Sequence, residues 1–263
     1  MSLDWKQQTI IVTGAYGGLG KELCYSLNKL GANLIITGRD GDKLQQLKQN
    51  LTNSTIVVGD VNSQEFITEL LALTINKKSK GHILINNAGV SSAAFLSEQS
   101  RDDIKAQLDI NLLAPIMLSK FLMPWLKAAQ SGKIINVGST FGAIGYPGFS
   151  LYSASKFGLR GFSQALNREL ADTSVSVQYL APRAIATSIN SDKVNELNRK
   201  LKNSVDKPEH IVPQIIAAIE KNKSEKFFGF PEKLFAKINA LFPSVVSNAI
   251  NKEHETIKQI LSK

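Results

Sequence analysis

The chain has 263 residues, which is enough for one α/β domain with a sizeable apolar core. Its single cysteine, Cys24, excludes an intrachain disulfide and, without a Cys/His cluster, no metal site is predicted. The net charge of +9 is spread along the chain rather than concentrated in one long run, which argues against nucleic acid as a partner.

The first residues, MSLDWKQQTIIVTG, do not have a basic segment followed by an apolar segment, so no signal peptide is predicted. No window approaches the ~18–20 consecutive apolar residues of a membrane span. We therefore expect a cytoplasmic protein.

Short runs rich in Ile and Val alternate with stretches of helical periodicity. The runs scarcely alternate in polarity, which is typical of strands covered on both faces. The predicted strands are Thr9–Val12, Asn33–Ile36, Thr55–Val58, His82–Ile85, Lys133–Val137 and Val175–Leu180. The predicted helices cover 18–30, 40–52, 63–77, 101–129 and 152–172. This alternation predicts an α/β fold, a single Rossmann-type, doubly wound parallel sheet with helices on both faces.

The last part of the chain is predicted to be mainly helical and to belong to the same domain, 1–263. Two or three helices are expected over 187–222, a short strand at Lys226–Phe230, and amphipathic helices at Pro231–Leu241 and Ser244–Leu261. One stripe of the first amphipathic helix is apolar: Leu234, Phe235, Ile238, Leu241 and Phe242. Such a stripe is usually core or subunit interface, and contact with a membrane surface or a lipid substrate is the alternative.

A glycine-rich turn directly follows the first strand and opens the first helix. Its glycines permit a tight turn, close approach of the backbone to a pyrophosphate, and close packing of helix on strand. The helix N-terminus then offers free N–H groups to the anion. The turn therefore predicts a dinucleotide site that includes Gly14, Tyr16, Gly17, Gly18, Leu19 and Gly20.

The Gly-x-x-x-Gly-x-Gly spacing of this turn resembles the short-chain dehydrogenase/reductase family. Other motifs of that family follow in order between residues 8 and 187: Asp60, Asn86-Asn87-Ala88-Gly89, Asn111, Ser139 and Tyr152-Ser153-Ala154-Ser155-Lys156. The resemblance implies an oxidoreductase with a cofactor and catalytic core over 1–187 and substrate-covering helices over 188–263. It also implies that the nucleotide contacts Asp60, Val61, Asn87, Ala88, Gly89, Tyr152, Lys156, Pro182, Ile185 and Thr187.

The chemistry of carbonyl reduction explains the predicted catalytic residues. Tyr152 would supply a proton to the developing alkoxide, although its ordinary pKa of about 10 is high for this role. Lys156 lies one helical turn later on the same face, so its ammonium, together with oxidised nicotinamide, is expected to lower the tyrosine pKa. Ser139 would hydrogen-bond the substrate oxygen. Asn111 is expected to hold a water that links Lys156 to solvent.

The end of the second strand indicates which nicotinamide cofactor is used. An acidic residue there would bind the adenosine ribose hydroxyls and favour NAD, whereas an arginine accommodates a 2′-phosphate. Here Gly38 occupies the acidic position and Arg39 follows it. Asp40 is one residue late and is predicted to cap the next helix. We therefore predict NADP(H).

Two positions depart from the family pattern. Arg183 follows Pro182 where the family has glycine, so it would be strained if this position required positive φ. Arg183 is interpreted as a structural replacement, with contact to an acidic substrate group as the alternative. Gly138 precedes Ser139 where many members have a second serine, a change expected to be harmless.

The predicted function is hydride transfer between nicotinamide and a carbonyl or alcohol. The aromatic and apolar residues Phe141, Ile144, Tyr146, Phe149 and Phe227-Phe228-Gly229-Phe230 suggest an apolar pocket and a hydrophobic or lipid-like ketone. The alternatives are an epimerase or dehydratase that keeps its nicotinamide bound, and a nucleotide-sensing interaction protein on the same fold. The resemblance further implies a homo-oligomer, either a tetramer or a dimer, formed through the helices that contain and precede Tyr152.

Overall fold

The computed structural model describes residues 3–75 and 79–262. Its core is one seven-stranded sheet in which every strand pair is parallel, with the order β3-β2-β1-β4-β5-β6-β7. The strands are β1 (Gln8–Val12), β2 (Asn33–Gly38), β3 (Ser54–Val58), β4 (Gly81–Asn86), β5 (Ser131–Val137), β6 (Val175–Ala181) and β7 (Glu225–Phe227). The predicted doubly wound parallel sheet is confirmed.

Helices connect the strands and form most of the C-terminal region. They are α1 (Gly18–Lys29), α2 (Gly41–Lys48), α3 (Gln64–Ile75), α4 (Arg101–Leu108), α5 (Ala114–Lys127), α6 (Ser150–Glu169), α7 (Asp192–Lys200), α8 (Pro208–Glu220), α9 (Glu232–Leu241), α10 (Pro243–Asn251) and α11 (His254–Leu261). The last two residues of the predicted third helix, 76 and 77, lie outside the described part of the chain.

Two predicted helices are irregular in the structure. The stretch 101–129 contains a π-helical turn, Asp109–Leu113, between α4 and α5, in which the N–H of Ala114 donates to the carbonyl of Asp109. The stretch Ser244–Leu261 is α10 and α11, separated at Lys252 and Glu253. The helical prediction is confirmed over 101–127, although its π-helical turn was not indicated by the sequence. The prediction of one helix over Ser244–Leu261 was wrong, because a continuous apolar period does not reveal a short break.

The inner strands β1, β2, β4, β5 and β6 bury both of their faces, as the unbroken apolar runs predicted, whereas the edge strands β3 and β7 are partly exposed. Alternate side chains contact opposite helix layers because successive residues of a strand point to opposite sides of the sheet. Ile10 and Val12 pack toward α1, α2 and α8, whereas Ile11 packs toward α3 and α5. Cys24 on α1 is fully buried in the layer formed by α1, α2 and α8. Burial raises its pKa to about 12, so it behaves as an inert, small apolar side chain.

Successive strands are added on one side of β1 up to β3 and on its other side from β4 onward, so the strand order reverses between β1 and β4. This switch point sets the position of the site. In open α/β sheets, ligands bind outside the carboxyl ends of the strands at such a switch point. On the far side of this crevice, the C-terminal helices α7 and α11 pack together through Leu197 and Ile257 and contact Phe149. Within the described residues, no helix is long and apolar enough to cross a membrane.

Candidate active site

One cavity of about 740 Å³ opens at the carboxyl ends of β1, β2, β4 and β5. Every residue predicted to contact the cofactor lines it: Gly14, Tyr16, Gly17, Gly18, Leu19, Gly20, Gly38, Arg39, Asp60, Val61, Asn87, Ala88, Gly89, Tyr152, Lys156, Pro182, Ile185 and Thr187. Ser139 also lines the cavity. Asn111 is fully buried and lies outside the lining, behind Gly89.

The glycine-rich turn has the geometry of an anion site. Gly14 has φ of +62°, and a Cβ there would lie 2.9 Å from the Cα of Ala88, so only glycine fits. The residue before α1, Gly17, provides no side-chain cap. The first N–H groups of the helix, those of Gly18 and Leu19, therefore remain available to an anion in the cavity. These features fit a dinucleotide pyrophosphate.

Thr13 and Asn87 fix this turn against the end of β4. The Thr13 hydroxyl accepts hydrogen bonds from the N–H groups of Asn87 (3.0 Å) and Ala88 (2.9 Å). The Asn87 amide donates in return to the carbonyls of Thr13 (2.9 Å) and Gly14 (3.1 Å). Asn87 was predicted to contact the cofactor, whereas the sequence interpretation missed the structural role of Thr13 because its partners are distant in sequence.

The end of β2 presents basic groups rather than an acid. Gly38 is covered by the ring of Tyr16, whose Cδ1 atom would lie 2.9 Å from a Cβ at position 38. Arg39 is exposed at the cavity rim. Asp40 caps α2 by accepting from the N–H of Lys43 at 3.0 Å, as predicted. The Lys43 ammonium lies 5.6 Å from the Tyr16 ring centroid and forms an ion pair with Asp40 at 2.9 Å.

The predicted catalytic side chains meet on one wall of the cavity. Lys156 lies one turn after Tyr152 on α6, and its ammonium is 5.7 Å from the tyrosine ring centroid. This ammonium donates to the carbonyl of Val137 at 2.9 Å. The Ser139 hydroxyl oxygen accepts from the N–H of Phe141 at 3.2 Å, which leaves its proton to be donated toward the cavity.

Burial controls the ionisation of this group. It lowers the pKa of Lys156 to about 8. Burial also raises the pKa of Tyr152, and the Ser139 hydroxyl opposes part of that rise. The predicted fall in the Tyr152 pKa is therefore not produced by the protein's own groups, because desolvation of the phenolate outweighs them.

Asn111 supports the site from inside the π-helical turn. Its side-chain amide accepts from the N–H of Val90 (2.9 Å) and donates to the carbonyl of Val90 (2.8 Å). Its backbone carbonyl would ordinarily accept from the residue four positions later, which is Pro115 and has no N–H. The side-chain amide also donates to the Ser155 hydroxyl at 3.2 Å, so the side chain is fully engaged, and the backbone carbonyl lacks its usual helical donor.

Tyr179 holds Ser139 and α6 together, a role that the sequence did not indicate. Its ring is fully buried on β6, and its hydroxyl accepts from the N–H of Ser139 (3.2 Å) and donates to the Ser139 carbonyl (3.1 Å). Its oxygen also lies 3.3 Å from the carbonyl of Lys156. A Cβ at Gly138 would overlap the Tyr179 ring. In this chain the Tyr179 ring therefore leaves room only for glycine at position 138.

Arg183 joins three segments at the cavity rim. Its guanidinium pairs with both oxygens of Asp206 at 2.9 and 2.8 Å and with Glu232 at 3.2 Å. It also donates to the carbonyl of Phe230 at 3.1 Å. Among the described residues other than glycine, only Lys202 and Asn222 have positive φ, so Arg183 is not strained. These contacts support the structural interpretation of Arg183.

The substrate side of the cavity is largely apolar. Phe141, Ile144, Tyr146 and Phe149 line it, as the sequence suggested. The second aromatic group was placed wrongly: Phe228 is buried in the core, and Phe227 packs on Tyr179. The C-terminal helices contribute apolar lining that the sequence did not identify: Val194, Leu197, Phe235, Val246, Ala249 and Ile250.

The comparisons with known proteins agree with this arrangement. The family model described as short chain dehydrogenase matches residues 8–198. The chain belongs to this family. Short-chain dehydrogenases bind a nicotinamide cofactor and act on small molecules, so the protein is an oxidoreductase of carbonyl or alcohol groups.

The curated relatives cover most of this short-chain dehydrogenase. A 3-oxoacyl-[acyl-carrier-protein] reductase FabG from Rickettsia conorii is 36% identical over 199 residues, 75% of this chain and 80% of its own. An oxidoreductase from Staphylococcus saprophyticus is 26% identical over 225 residues, 82% of this chain and 91% of its own.

Solved structures confirm the fold. A short-chain dehydrogenase from Streptomyces avermitilis has a TM-score of 0.79 at 22% identity, covering 95% of this chain and 96% of its own. One from Sphingobium yanoikuyae, in complex with NADPH, has a TM-score of 0.78 at 22% identity, covering 91% and 95%. One from Burkholderia phymatum, in complex with NAD, has a TM-score of 0.81 at 18% identity, covering 92% and 96%.

Proposed function

We propose that this short-chain dehydrogenase is an NADP(H)-dependent reductase of hydrophobic or lipid-like ketones. The observation that carries the proposal is the meeting of Ser139, Tyr152 and Lys156 at the junction of two cavity regions. One region is the glycine-rich anion site, and the other is the apolar wall that includes Phe141 and Phe149. A carbonyl at this junction can contact both hydroxyl groups.

The chain's own residues supply the proton and the orientation. When bound, the reduced nicotinamide supplies a hydride to the carbonyl carbon. Tyr152, whose raised pKa keeps it protonated, donates its phenolic proton to the carbonyl oxygen, and an alcohol results. Ser139 donates a hydrogen bond to the same oxygen and stabilises its developing charge. Lys156 holds the ribose next to the nicotinamide and attracts negative charge on Tyr152.

The proton that Tyr152 loses must be replaced from solvent. Lys156 is buried with a pKa of about 8, so it can exchange a proton near neutral pH. The backbone carbonyl of Asn111, which lacks its usual helical donor because of Pro115, can accept a hydrogen bond from a water. We infer that this water connects Lys156 to solvent, while the Asn111 side chain keeps Val90 in place.

NADP(H) is proposed over NAD(H) because of the charges at the end of β2. Arg39 can bind a 2′-phosphate through two parallel hydrogen bonds, and no acid occupies position 38. Nicotinamide fluorescence titrations should show much tighter binding of NADPH than of NADH. Arg39→Ala should weaken NADPH binding on the order of ten-fold and leave NADH binding nearly unchanged. Equal loss for both cofactors would count against a 2′-phosphate role.

The substrate class is tested with a series of ketones of increasing apolar chain length, including 3-oxoacyl thioesters. We expect equimolar loss of NADPH and gain of alcohol. The kcat/KM should rise with the length of the apolar chain, because the wall of the cavity is apolar. An epimerase or dehydratase would convert its substrate without net NADPH loss. A nucleotide-sensing protein would bind NADPH and convert no ketone in the series.

We also infer a homo-oligomer formed through α5 and α6. Leu113, in the π-helical turn before α5, and Phe157 on α6 are large apolar side chains that remain exposed on these helices. Burying such a surface between copies would remove both side chains from water. Light scattering should give a dimer or tetramer, and Phe157→Asp should reduce the mass. A monomeric wild-type protein would refute this inference.

A further inference from the structure

The C-terminal helices carry an apolar surface that no other part of the described chain covers. Six large side chains, all at least 44% exposed, lie close together in sequence. They define what we call the apolar crest: Phe230, Leu234, Phe235, Leu241, Phe242 and Val245. A single exposed apolar side chain is ordinary, but a concentrated group marks an interaction surface.

Three crest residues, Leu234, Phe235 and Leu241, belong to α9 and face solvent, and the other three lie just before or after this helix. Residues advance by about 100° each around a helix, so Ala236 lies opposite Leu234 and Leu241. Ala236 is 6% exposed and faces the protein, whereas Leu241 is 73% exposed. An amphipathic helix of a soluble core normally has the reverse orientation, because burial of the larger apolar side chains is more favourable. Of the predicted stripe, only Ile238 packs against buried residues, and Leu234, Phe235, Leu241 and Phe242 are exposed.

Lysines flank the crest. Lys233 and Lys237 lie one turn apart along the edge of the apolar face of α9, and both are exposed. Lys233 is also near Lys226, together with Lys221 and Lys223. Burial is the main cause of the lowered pKa of Lys226, and the three neighbouring ammonium groups lower it further, so positive charge is concentrated here. An exposed apolar face edged by lysine is typical of helices that lie in a membrane interface.

The charge distribution decides between a second copy and a lipid surface as the occupant. A symmetric pair formed through the crest would bring two identical sets of lysines together, which is unfavourable. An anionic bilayer would neutralise the lysines and receive the apolar side chains. The chain as a whole has a net charge of +9, which acts in the same direction.

We propose that the apolar crest and its flanking lysines bind the surface of an anionic lipid bilayer. In this orientation α9 lies in the interfacial plane, with Leu241 and Phe242 entering the lipid. Phe235 belongs both to the crest and to the cavity lining, so the cavity opens next to the bound bilayer. The binding surface is independent of the proposed reaction, because it includes none of the proposed catalytic residues.

The test is sedimentation of the full-length protein with vesicles, without nicotinamide or ketone. One set of vesicles contains phosphatidylcholine alone, and the other contains phosphatidylcholine and phosphatidylglycerol in equal parts. Binding is expected to the anionic set, to fall steeply with salt, and to be weak to the neutral set. Equal binding to both sets, or none to either, would overturn the proposal.

Variants separate the two parts of the surface. Lys233→Glu/Lys237→Glu should weaken binding to the anionic vesicles by at least about ten-fold, since each lysine adds roughly a five-fold gain. Leu241→Ser/Phe242→Ser should weaken it by a similar factor through lost apolar contact. Ile75→Ser is the matched control, because Ile75 is 79% exposed on α3, away from the crest. The control should bind as the wild type does.

The same variants test for a protein interface at the crest. Light scattering of Leu241→Ser/Phe242→Ser without vesicles should give the same mass as the wild type. A lower mass for this variant would mean that the crest joins copies of the chain, and the lipid proposal would then fail. NADPH titration of each variant should match the wild type, so that lost lipid binding is not confused with misfolding.

Discussion

Substitution of Gly138 tests whether Tyr179 determines which residues the catalytic strand can accept. A Cβ at this position would lie 2.5 Å from the Tyr179 hydroxyl oxygen and closer still to two ring carbons. Ordinary contacts between carbon atoms are about 3.5–4.0 Å. The ring cannot retreat freely, because it is fully buried and its oxygen is also close to Gly142 and to the carbonyl of Lys156.

Gly138→Ala should therefore destabilise the protein by about 3 kcal/mol, the upper part of the range for overpacking a core. For a chain of this size that corresponds to a fall in melting temperature of roughly 6–12 °C. Urea unfolding followed by circular dichroism gives the free energy. Gly145→Ala is the matched control, since a Cβ at Gly145 meets nothing within 4 Å and its φ is not positive. The control should change the stability by less than about 1 kcal/mol.

A double-mutant cycle isolates the contact. Tyr179→Val removes the ring and is itself destabilising, because it leaves a cavity and removes the hydrogen bonds to Ser139. In that background Gly138→Ala should cost little, giving a coupling free energy of about 2–3 kcal/mol. Additive effects of the two substitutions would refute the argument that Gly138 is required by the Tyr179 ring.

Two further predictions concern charged groups. Lys156 has a folded pKa of about 8 against 10.5 unfolded, so the unfolded state holds more protons between these values. The free energy of unfolding of the wild type relative to Lys156→Met, measured with denaturant, should therefore rise by on the order of 3 kcal/mol between about pH 8 and 10.5. A difference that stays flat or falls over this pH range would contradict the burial of a charged Lys156. Arg183→Ala leaves Asp206 and Glu232 without their cation and should cost about 1–3 kcal/mol, with faster amide exchange in the loop after Arg183. Lys43→Ala, which removes an exposed ion pair, is its control and should cost less than about 1 kcal/mol.

The strands and the grouping of the site residues could be predicted from the sequence, because both follow from the geometry of a buried parallel sheet. A strand buried on both faces must be apolar throughout, so β1 and β4 are visible as unbroken runs. The motif residues follow the carboxyl ends of parallel strands, and these ends share one edge of the sheet. Gly14, Asn87 and Ser139 were therefore expected to come together, and the cavity contains all three.

The features that the sequence did not reveal depend on partners distant in the chain. The requirement for glycine at position 138 depends on Tyr179, which lies on another strand. Phe228 was assigned to the pocket, although it packs in the sheet core. The π-helical turn at Asp109–Leu113 does have a local signal, Pro115, but the apolar periodicity continues through the turn and conceals the change of helical pitch.

The central claim, that Tyr152 donates the proton in a ketone reduction, is tested most directly by comparing Tyr152→Phe with the wild type. Both proteins are titrated with NADPH and then given a hydrophobic ketone that the wild type reduces. Tyr152→Phe should bind NADPH as tightly as the wild type, because only the hydroxyl is removed, and its kcat should fall by on the order of a thousand-fold or more. A variant that binds NADPH and retains wild-type turnover would contradict the assignment of Tyr152.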